Sequence, residues 1–146
     1  MTPKKREELY DQIMKEAISV GVGIVDQNRI DEINILNATK EAVTTAIANL
    51  TVKPDRILVD ALQHINTLGI PYISLIKGDA NSYSIAAASI IAKVTRDRIM
   101  EEWDNVYPAY GFAKHKGYGT AEHIKIIQEI GPCRLHRKSF IKNFLE

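Results

Sequence analysis

The spacing of apolar residues along this 146-residue chain predicts helices that alternate with short strands. Thr2 is expected to cap a first helix that begins at Pro3, and apolar residues then recur every three or four positions to about Glu16. Residues 19–25 alternate Val and Ile with Ser and Gly, a pattern typical of a strand, which would end near Asp26. The chain is therefore expected to begin with one helix and one strand.

Helical spacing returns in the next part of the chain, and two apolar strands follow it. The predicted second helix is marked by Leu36, Val43, Ala46, Ile47 and Leu50. Residues 56–60 form a short apolar strand that ends with Asp60, and residues 72–79 repeat this arrangement and end with Asp79. Each of the two predicted strands is therefore closed by a carboxylate.

A longer helix is predicted after Asn81 or Ser82 as its cap, and it extends to about Trp103. Its first half is rich in Ala and Ser, so we expect it to be the most buried helix and to pack closely on the sheet. A loop with several glycines covers residues 107–119, and a further helix is predicted over residues 121–129. Strands that alternate with helices indicate an α/β fold.

Composition narrows the class of protein without identifying a partner. The chain is 45% hydrophobic and 25% charged, as expected of one globular domain over residues 1–146. Its formal charge of +1 neither requires nor excludes nucleic acid, so any phosphate-binding surface must be a local patch. The single Cys133 cannot form an intrachain disulfide, and the longest nearly apolar run, residues 85–92, is too short to cross a bilayer. We therefore expect a cytoplasmic protein with no membrane partner.

The two strand-end carboxylates are the candidates for chemistry. Ligands usually bind where the strands of an α/β sheet end, and two carboxylates there can hold one divalent cation. Mg²⁺ and Mn²⁺ prefer oxygen ligands, with water and substrate phosphate in the remaining positions. The spacing leaves open the alternative that Asp60 and Asp79 each cap a turn.

Several longer motifs follow one another along the whole chain. They are residues 57–61 (Ile-Leu-Val-Asp-Ala), 76–80 (Ile-Lys-Gly-Asp-Ala), 84–97, 111–120 and 135–140. In this order they resemble the successive sequence blocks of bacterial ribonuclease HII, which residues 4–10 and 31–36 also match. Cys133 departs from the usual block before the His-Arg pair.

The resemblance implies an α/β, ribonuclease H-like fold, a mixed sheet flanked by helices, with the first two strands missing from this chain. It also implies a four-carboxylate site, in which Asp60 and Asp79 match two catalytic ligands for Mn²⁺ or Mg²⁺ and lie together at one end of adjacent parallel strands. The family takes its other two carboxylates from an Asp-Glu pair followed by Gly-Arg-Gly, an arrangement that does not occur here. Asp31-Glu32 precedes Ile-Asn-Ile and matches a different block, so we do not assign it to the site.

The same resemblance implies a substrate. The expected function is hydrolysis of the RNA strand of RNA–DNA hybrids and cutting at ribonucleotides embedded in duplex DNA. Tyr118, between two glycines, matches the family tyrosine that stacks near the RNA–DNA junction and senses the 2′-hydroxyl. The other candidates for substrate binding are basic, and a solvated face is the alternative for each: Lys93, Lys116, His136 and Arg137. His136 fits a structural histidine equally well.

Two other functions remain open from the sequence. The chain could be a catalytically impaired module that only binds hybrid, or an unrelated α/β domain for a small phosphorylated ligand, although no glycine-rich phosphate loop follows a strand. The two missing strands would leave a gap on the order of 14 Å between residues 19–25 and 56–60. We therefore expect a second chain or a missing N-terminal segment to complete the sheet, and poor activity of the chain alone.

Overall fold

The computed structural model describes residues 1–144, which form helices around one two-stranded sheet. The helices are α1 Pro3–Glu16, α2 Gln27–Ala48, α3 Gly78–Asn81, α4 Tyr83–Val106, α5 Phe112–His115, α6 Ala121–Ile130 and α7 Lys138–Ile141. The strands are β1 Ile57–Asp60 and β2 Tyr72–Leu75, and two 3₁₀ turns cover Pro108–Tyr110 and Lys142–Phe144.

The predicted starts of three helices are confirmed by the residues that cap their N-termini. The Thr2 hydroxyl accepts a hydrogen bond from the Lys5 amide at the start of α1, 3.2 Å away. Ser82 caps α4 and Thr120 caps α6 in the same way. These side chains satisfy amide groups that have no partner within the helix, which is why the sequence signal for the helix starts is reliable.

Helix α2 begins earlier than the apolar spacing predicts. Asp26 caps it by accepting a hydrogen bond from the Arg29 amide at 2.9 Å. The helix is interrupted at Asn34, whose φ of 72° is not helical, and the Asn34 side chain then caps the second half through the Asn37 amide. The predicted helix is this second half, because only there do apolar residues keep a helical period.

The two strands pair in parallel, as expected for strands joined by a long connection. Ile57 lies opposite Tyr72, and Asp60 lies opposite Leu75 at the carboxyl end of the pair. Helices α3 and α4 pack against β1. The predicted adjacency of these two strands is confirmed, and Asp60 is the last residue of β1. The prediction that Asp79 ends the second strand is wrong, because β2 ends at Leu75 and the chain then turns into α3, which contains Asp79.

The prediction of a strand at residues 19–25 is wrong: within residues 1–144 this segment forms neither a helix nor a strand, and the sheet contains only β1 and β2. The segment runs along α2 instead, and the Asn49 side chain donates a hydrogen bond to the Val22 carbonyl at 2.8 Å. A Cβ atom at Gly23 would lie 2.0 Å from the Ala42 carbonyl oxygen. The small residues therefore serve close packing on a helix, which produces the same alternation as a strand.

An open groove lies between this segment, α2 and α4, and we call it the α2–α4 groove. Its volume is about 620 Å³, and small residues of α4, among them Ala88 and Ala92, line it. Both alanines are exposed on the groove side, whereas Ile85, Ile91 and Val94 in the same half of α4 are buried and the helix packs against β1. A second cavity of about 780 Å³ shares Val22, Gly23 and Ala92 with the groove and extends to Trp103.

Cys133 is half-buried and makes no disulfide. Within residues 1–144, no helix combines the length and the apolar character needed to span a membrane.

We predict that Gly23→Ala destabilises the fold, because the new methyl group would collide with the Ala42 carbonyl oxygen and with the Ala46 amide, 2.8 Å away. Overpacking of this kind should lower the free energy of unfolding in urea by about 2 kcal/mol. The control is Gly69→Asn, because a Cβ at Gly69 meets no atom within 4 Å and asparagine tolerates its positive φ. Unchanged stability of Gly23→Ala would contradict the packing of residues 19–25 on α2.

Candidate metal and nucleic-acid site

The pairing of the strands brings Asp60 against the turn that follows β2. The Asp60 Oδ1 atom accepts a hydrogen bond from the Gly78 amide at 2.9 Å. A Cβ atom at Gly78 would lie 2.5 Å from the end of the Ile85 side chain, so a larger residue here would displace Ile85. Asp79 is the next residue, in the first turn of α3, and its Oδ1 accepts from the Ala80 amide at 3.0 Å. One residue therefore links the two predicted metal ligands.

Each aspartate keeps one carboxylate oxygen available for a cation. Both side chains are exposed, and the Oδ2 atoms of Asp60 and Asp79 make no hydrogen bond to residues 1–144. These are hard oxygen donors of the kind that Mg²⁺ and Mn²⁺ prefer, so the two residues fit two positions of such a site. Over the described residues, no group of three or more His, Cys, Asp and Glu side chains could hold a metal. The remaining ligands must come from water, substrate or other residues.

Tyr118 is presented by a tight turn that we call the Tyr118 turn, residues 116–119. Lys116 and Gly117 both have positive φ, 55° and 84°. Arg96 of α4 donates a hydrogen bond to the Lys116 carbonyl, and its guanidinium lies 4.7 Å from the centre of the Tyr118 ring. The ring itself is 61% exposed. The turn thus holds an aromatic face in solvent with a cation beside it.

The other predicted binding residues lie on different elements. Lys93 is exposed on α4, and Lys116 pairs through its ammonium group with Glu101 at 2.9 Å. Arg137 is half-buried, with its guanidinium 5.0 Å from the centre of the Phe140 ring. None of the three forms an ion pair with a metal-ligand candidate among residues 1–144. Their contacts with phosphate stay predictions.

His136 is only 9% exposed, and both of its ring nitrogens are used within the protein. Its Nδ1 accepts a hydrogen bond from the Cys133 amide at 3.0 Å, and its Nε2 lies 2.8 Å from Nε2 of His123. No ring nitrogen remains for a phosphate. This geometry favours the structural alternative for His136.

His136 belongs to a cluster of three histidines that sequence reasoning missed. His123 is 1% exposed and stacks on His115 with ring centres 3.8 Å apart, and Phe112 packs against all three rings. Burial, and after it the neighbouring His123, lowers the pKa of His136 to about 4. Burial also lowers the pKa of His123. The three histidines lie on three different segments of the chain, in α5, in α6 and before α7, so no single periodic pattern indicates the cluster.

Asp31 belongs to the Asp-Glu pair that we did not assign to the metal site. It binds the start of α7 instead. Its carboxylate accepts hydrogen bonds from the Lys138 amide at 2.8 Å and from the Ser139 hydroxyl at 2.7 Å. The bond from Ser139 is the main reason that the pKa of Asp31 is lowered. Asp31 therefore caps α7 and fixes Arg137, which directly precedes that helix.

Comparison with known proteins settles the family. The sequence profile described as Ribonuclease HII matches residues 1–143. The chain belongs to the ribonuclease HII family. The resemblance of the sequence blocks is thereby confirmed.

Curated ribonuclease HII proteins match nearly all of this chain. The relative from Acetivibrio thermocellus is 57% identical over 145 residues, which are 99% of this chain and 56% of the relative. The relative from Lachnoclostridium phytofermentans is 59% identical over 143 residues, 98% of this chain and 56% of the relative. The relative from Caldicellulosiruptor saccharolyticus is 56% identical, with 70% of its length covered. The chain thus spans just over half the length of the first two ribonuclease HII relatives.

A solved structure supports the fold of the family. The crystal structure of the ribonuclease H2 from Pyrococcus horikoshii OT3 matches 99% of this chain and 77% of its own, with a TM-score of 0.78 and 24% identity. At this identity the likeness concerns the fold alone. The predicted ribonuclease H-like α/β fold is confirmed.

We predict that acid destabilises the fold through the histidine cluster. The unfolded chain takes up a proton on each histidine near pH 6.5, whereas His136 in the folded chain stays neutral down to about pH 4. Because the unfolded state binds more protons in this window, the free energy of unfolding falls as the pH falls from 6.5 to 4, by roughly 3 kcal/mol for His136 alone.

The measurement is urea unfolding between pH 7.5 and pH 5, where the fold is still present. His64→Gln is the control, because it removes an exposed histidine and should leave the decline in place. A free energy of unfolding that does not fall between pH 6.5 and pH 5 would contradict the neutral, buried cluster.

Proposed function

We propose that this chain is the metal-binding and substrate-sensing part of an endoribonuclease that acts on RNA–DNA hybrids and on ribonucleotides embedded in duplex DNA. The reaction is hydrolysis of the phosphodiester on the 5′ side of a ribonucleotide, giving 5′-phosphate and 3′-hydroxyl ends. The observation that carries the proposal is the contact between Asp60 and the turn bearing Asp79, in a chain of the ribonuclease HII family.

Asp60 and Asp79 are proposed to hold Mn²⁺ or Mg²⁺ through their available oxygens. A bound divalent cation in such a site activates water and offsets the charge that develops on the phosphate. The two aspartates contribute two of the ligands, and the backbone amides of Gly78 and Ala80 orient their carboxylates. This orientation supports the proposal, because a metal ligand must be held in one position to favour one geometry.

Tyr118 is proposed to stack against the sugar and base at the RNA–DNA junction. Its exposed ring and the nearby Arg96 guanidinium form a surface of the kind that binds nucleotides by stacking and by attraction of phosphate. Lys93, Lys116 and Arg137 are proposed to contact phosphates along the duplex. Because the formal charge of the chain is only +1, this phosphate-binding surface must be a local patch.

A further segment, from an N-terminal part of the same protein or from a second chain, is proposed to complete the sheet in the α2–α4 groove. Within residues 1–144, β1 and β2 pair only with each other, and residues 19–25 form neither a helix nor a strand. Glycine and alanine line the groove on both sides. Open strand edges and small side chains together favour an added strand as the occupant.

We predict that Asp79→Asn lowers metal-supported cleavage of an RNA–DNA hybrid by about 100-fold or more, because it removes one metal ligand. Hybrid binding should change little, since the phosphate and stacking contacts remain. The control is Asp55→Asn, which neutralises an exposed carboxylate in the turn before β1. Cleavage is measured in Mn²⁺ and in Mg²⁺. In both cases the chain is first combined with the proposed sheet-completing segment, taken from a relative. Near-normal cleavage by Asp79→Asn would overturn the assignment.

We predict that the chain alone cleaves hybrid poorly, and that coexpression with the part of the Acetivibrio thermocellus relative that this chain does not cover restores cleavage. Ala88→Trp should block the groove and prevent the rescue, because a large side chain would occupy the position of the added strand. Ala48→Trp, an exposed position of α2 outside the groove lining, should not. Equal rescue of both variants would contradict the proposed docking site.

A further inference from the structure

The histidine cluster contains a hydrogen-bond chain whose direction the structure fixes. The Cys133 amide donates to Nδ1 of His136, and the Gly117 amide donates to Nδ1 of His115, each at 3.0 Å. A ring nitrogen that accepts from an amide carries no proton, so a neutral ring carries its proton on Nε2. His136 and His115 are therefore both Nε2–H tautomers.

This assignment determines the third ring. The Nε2–H of His136 donates to Nε2 of His123 at 2.8 Å, which leaves the His123 proton on Nδ1. His123 donates that proton to the Tyr118 carbonyl at 2.8 Å. The Nε2–H of His115 donates to the Tyr110 carbonyl at 2.6 Å. One set of neutral tautomers satisfies all six ring nitrogens.

The chain of donors ends on the Tyr118 turn. His123 holds the Tyr118 carbonyl, and His115 holds the amide of Gly117. Arg96 holds the carbonyl of Lys116. Three side chains from outside the turn thus fix three successive residues of it, whose backbone includes two positive φ values that are costly without support.

We propose that His123 is a positioning residue, which sets the orientation of the Tyr118 ring for the ribonucleotide junction, and that His136 keeps His123 in the tautomer this role needs. His123 is 1% exposed, so it acts through the backbone of Tyr118 and does not touch substrate. The proposal rests on the proposed function only in that Tyr118 contacts nucleic acid. The hydrogen-bond chain itself is a property of the free protein.

The first test is ¹⁵N NMR of the histidine rings in the full chain at pH 7.5. We expect Nδ1–H for His123 and Nε2–H for both His115 and His136, with all three rings neutral. Nε2–H on His123, or Nδ1–H on His136, would overturn the proposal, because His123 would then have no proton to donate to the Tyr118 carbonyl. This measurement needs no activity, so it decides the proposal even if the chain neither binds nor cleaves hybrid.

The second test compares two substitutions of the same buried ring. His123→Asn retains an N–H donor near the Nδ1 position and should keep the Tyr118 turn ordered, whereas His123→Leu removes the donor. The quantity compared is the binding preference, the affinity for a ribonucleotide-containing duplex divided by the affinity for an all-DNA duplex. We expect His123→Leu to lower this preference by about fivefold or more, to a value close to that of Tyr118→Ala. His123→Asn should retain most of the preference, and Mn²⁺ affinity should be unchanged in all three variants.

The outcomes separate this proposal from the proposed function. If the unaltered chain shows no preference for ribonucleotide-containing duplex, the proposed substrate is wrong, and the ring tautomers together with the NMR signals of the Tyr118 turn decide the role of His123. If the unaltered chain shows this binding preference, and the His123→Leu variant is folded and retains all of it, the positioning role is wrong. If both His123 variants unfold, the tautomers of the unaltered chain decide.

Discussion

The parallel pairing of β1 with β2 is the interaction on which the candidate site depends. Its register ends both strands at the same edge, so the chain leaving β2 passes Asp60 and donates the Gly78 amide to its carboxylate. Each strand has only four residues, and an isolated two-stranded sheet is marginally stable in water. Helices α3 and α4 pack against β1, and within residues 1–144 neither strand pairs with a third. The candidate site and the strand that we propose to complete the sheet therefore both involve this one pair of strands.

The region around Tyr118 and α7 is held differently, by polar side-chain contacts outside the sheet. Asp31 caps α7. His123 of the histidine cluster donates a hydrogen bond to the Tyr118 carbonyl, and Arg96 of α4 donates one to the Lys116 carbonyl. The histidine rings are buried, and buried polar groups cost free energy unless they are paired; here their ring nitrogens are all hydrogen-bonded. This arrangement holds the backbone of Tyr118 without using a residue of the sheet. The candidate metal ligands, by contrast, are Asp60 at the end of β1 and Asp79 in the first turn of α3.

The sequence predicted the features that depend on local chemistry. Thr2 and Ser82 cap helices as expected, and Asp60 ends a strand, because caps and apolar runs act over a few residues. Residues 19–25 were misassigned because glycine alternation serves packing on a helix as well as on a sheet. The histidine cluster could not be predicted, since its members meet only in the folded chain. The order of the sequence blocks identified the family, but blocks of this kind do not say which polar residues are buried.

The account's central claim is that Asp60 and Asp79 together bind a divalent cation in this chain. It is tested most directly by adding Mn²⁺ to the ¹⁵N-labelled protein and recording the paramagnetic broadening of each backbone amide. We expect the amides of Asp60, Gly78 and Asp79 to broaden first, and we expect this selectivity to be lost in Asp79→Asn. Broadening that begins at other carboxylates, or that is the same in Asp79→Asn, would contradict the claim.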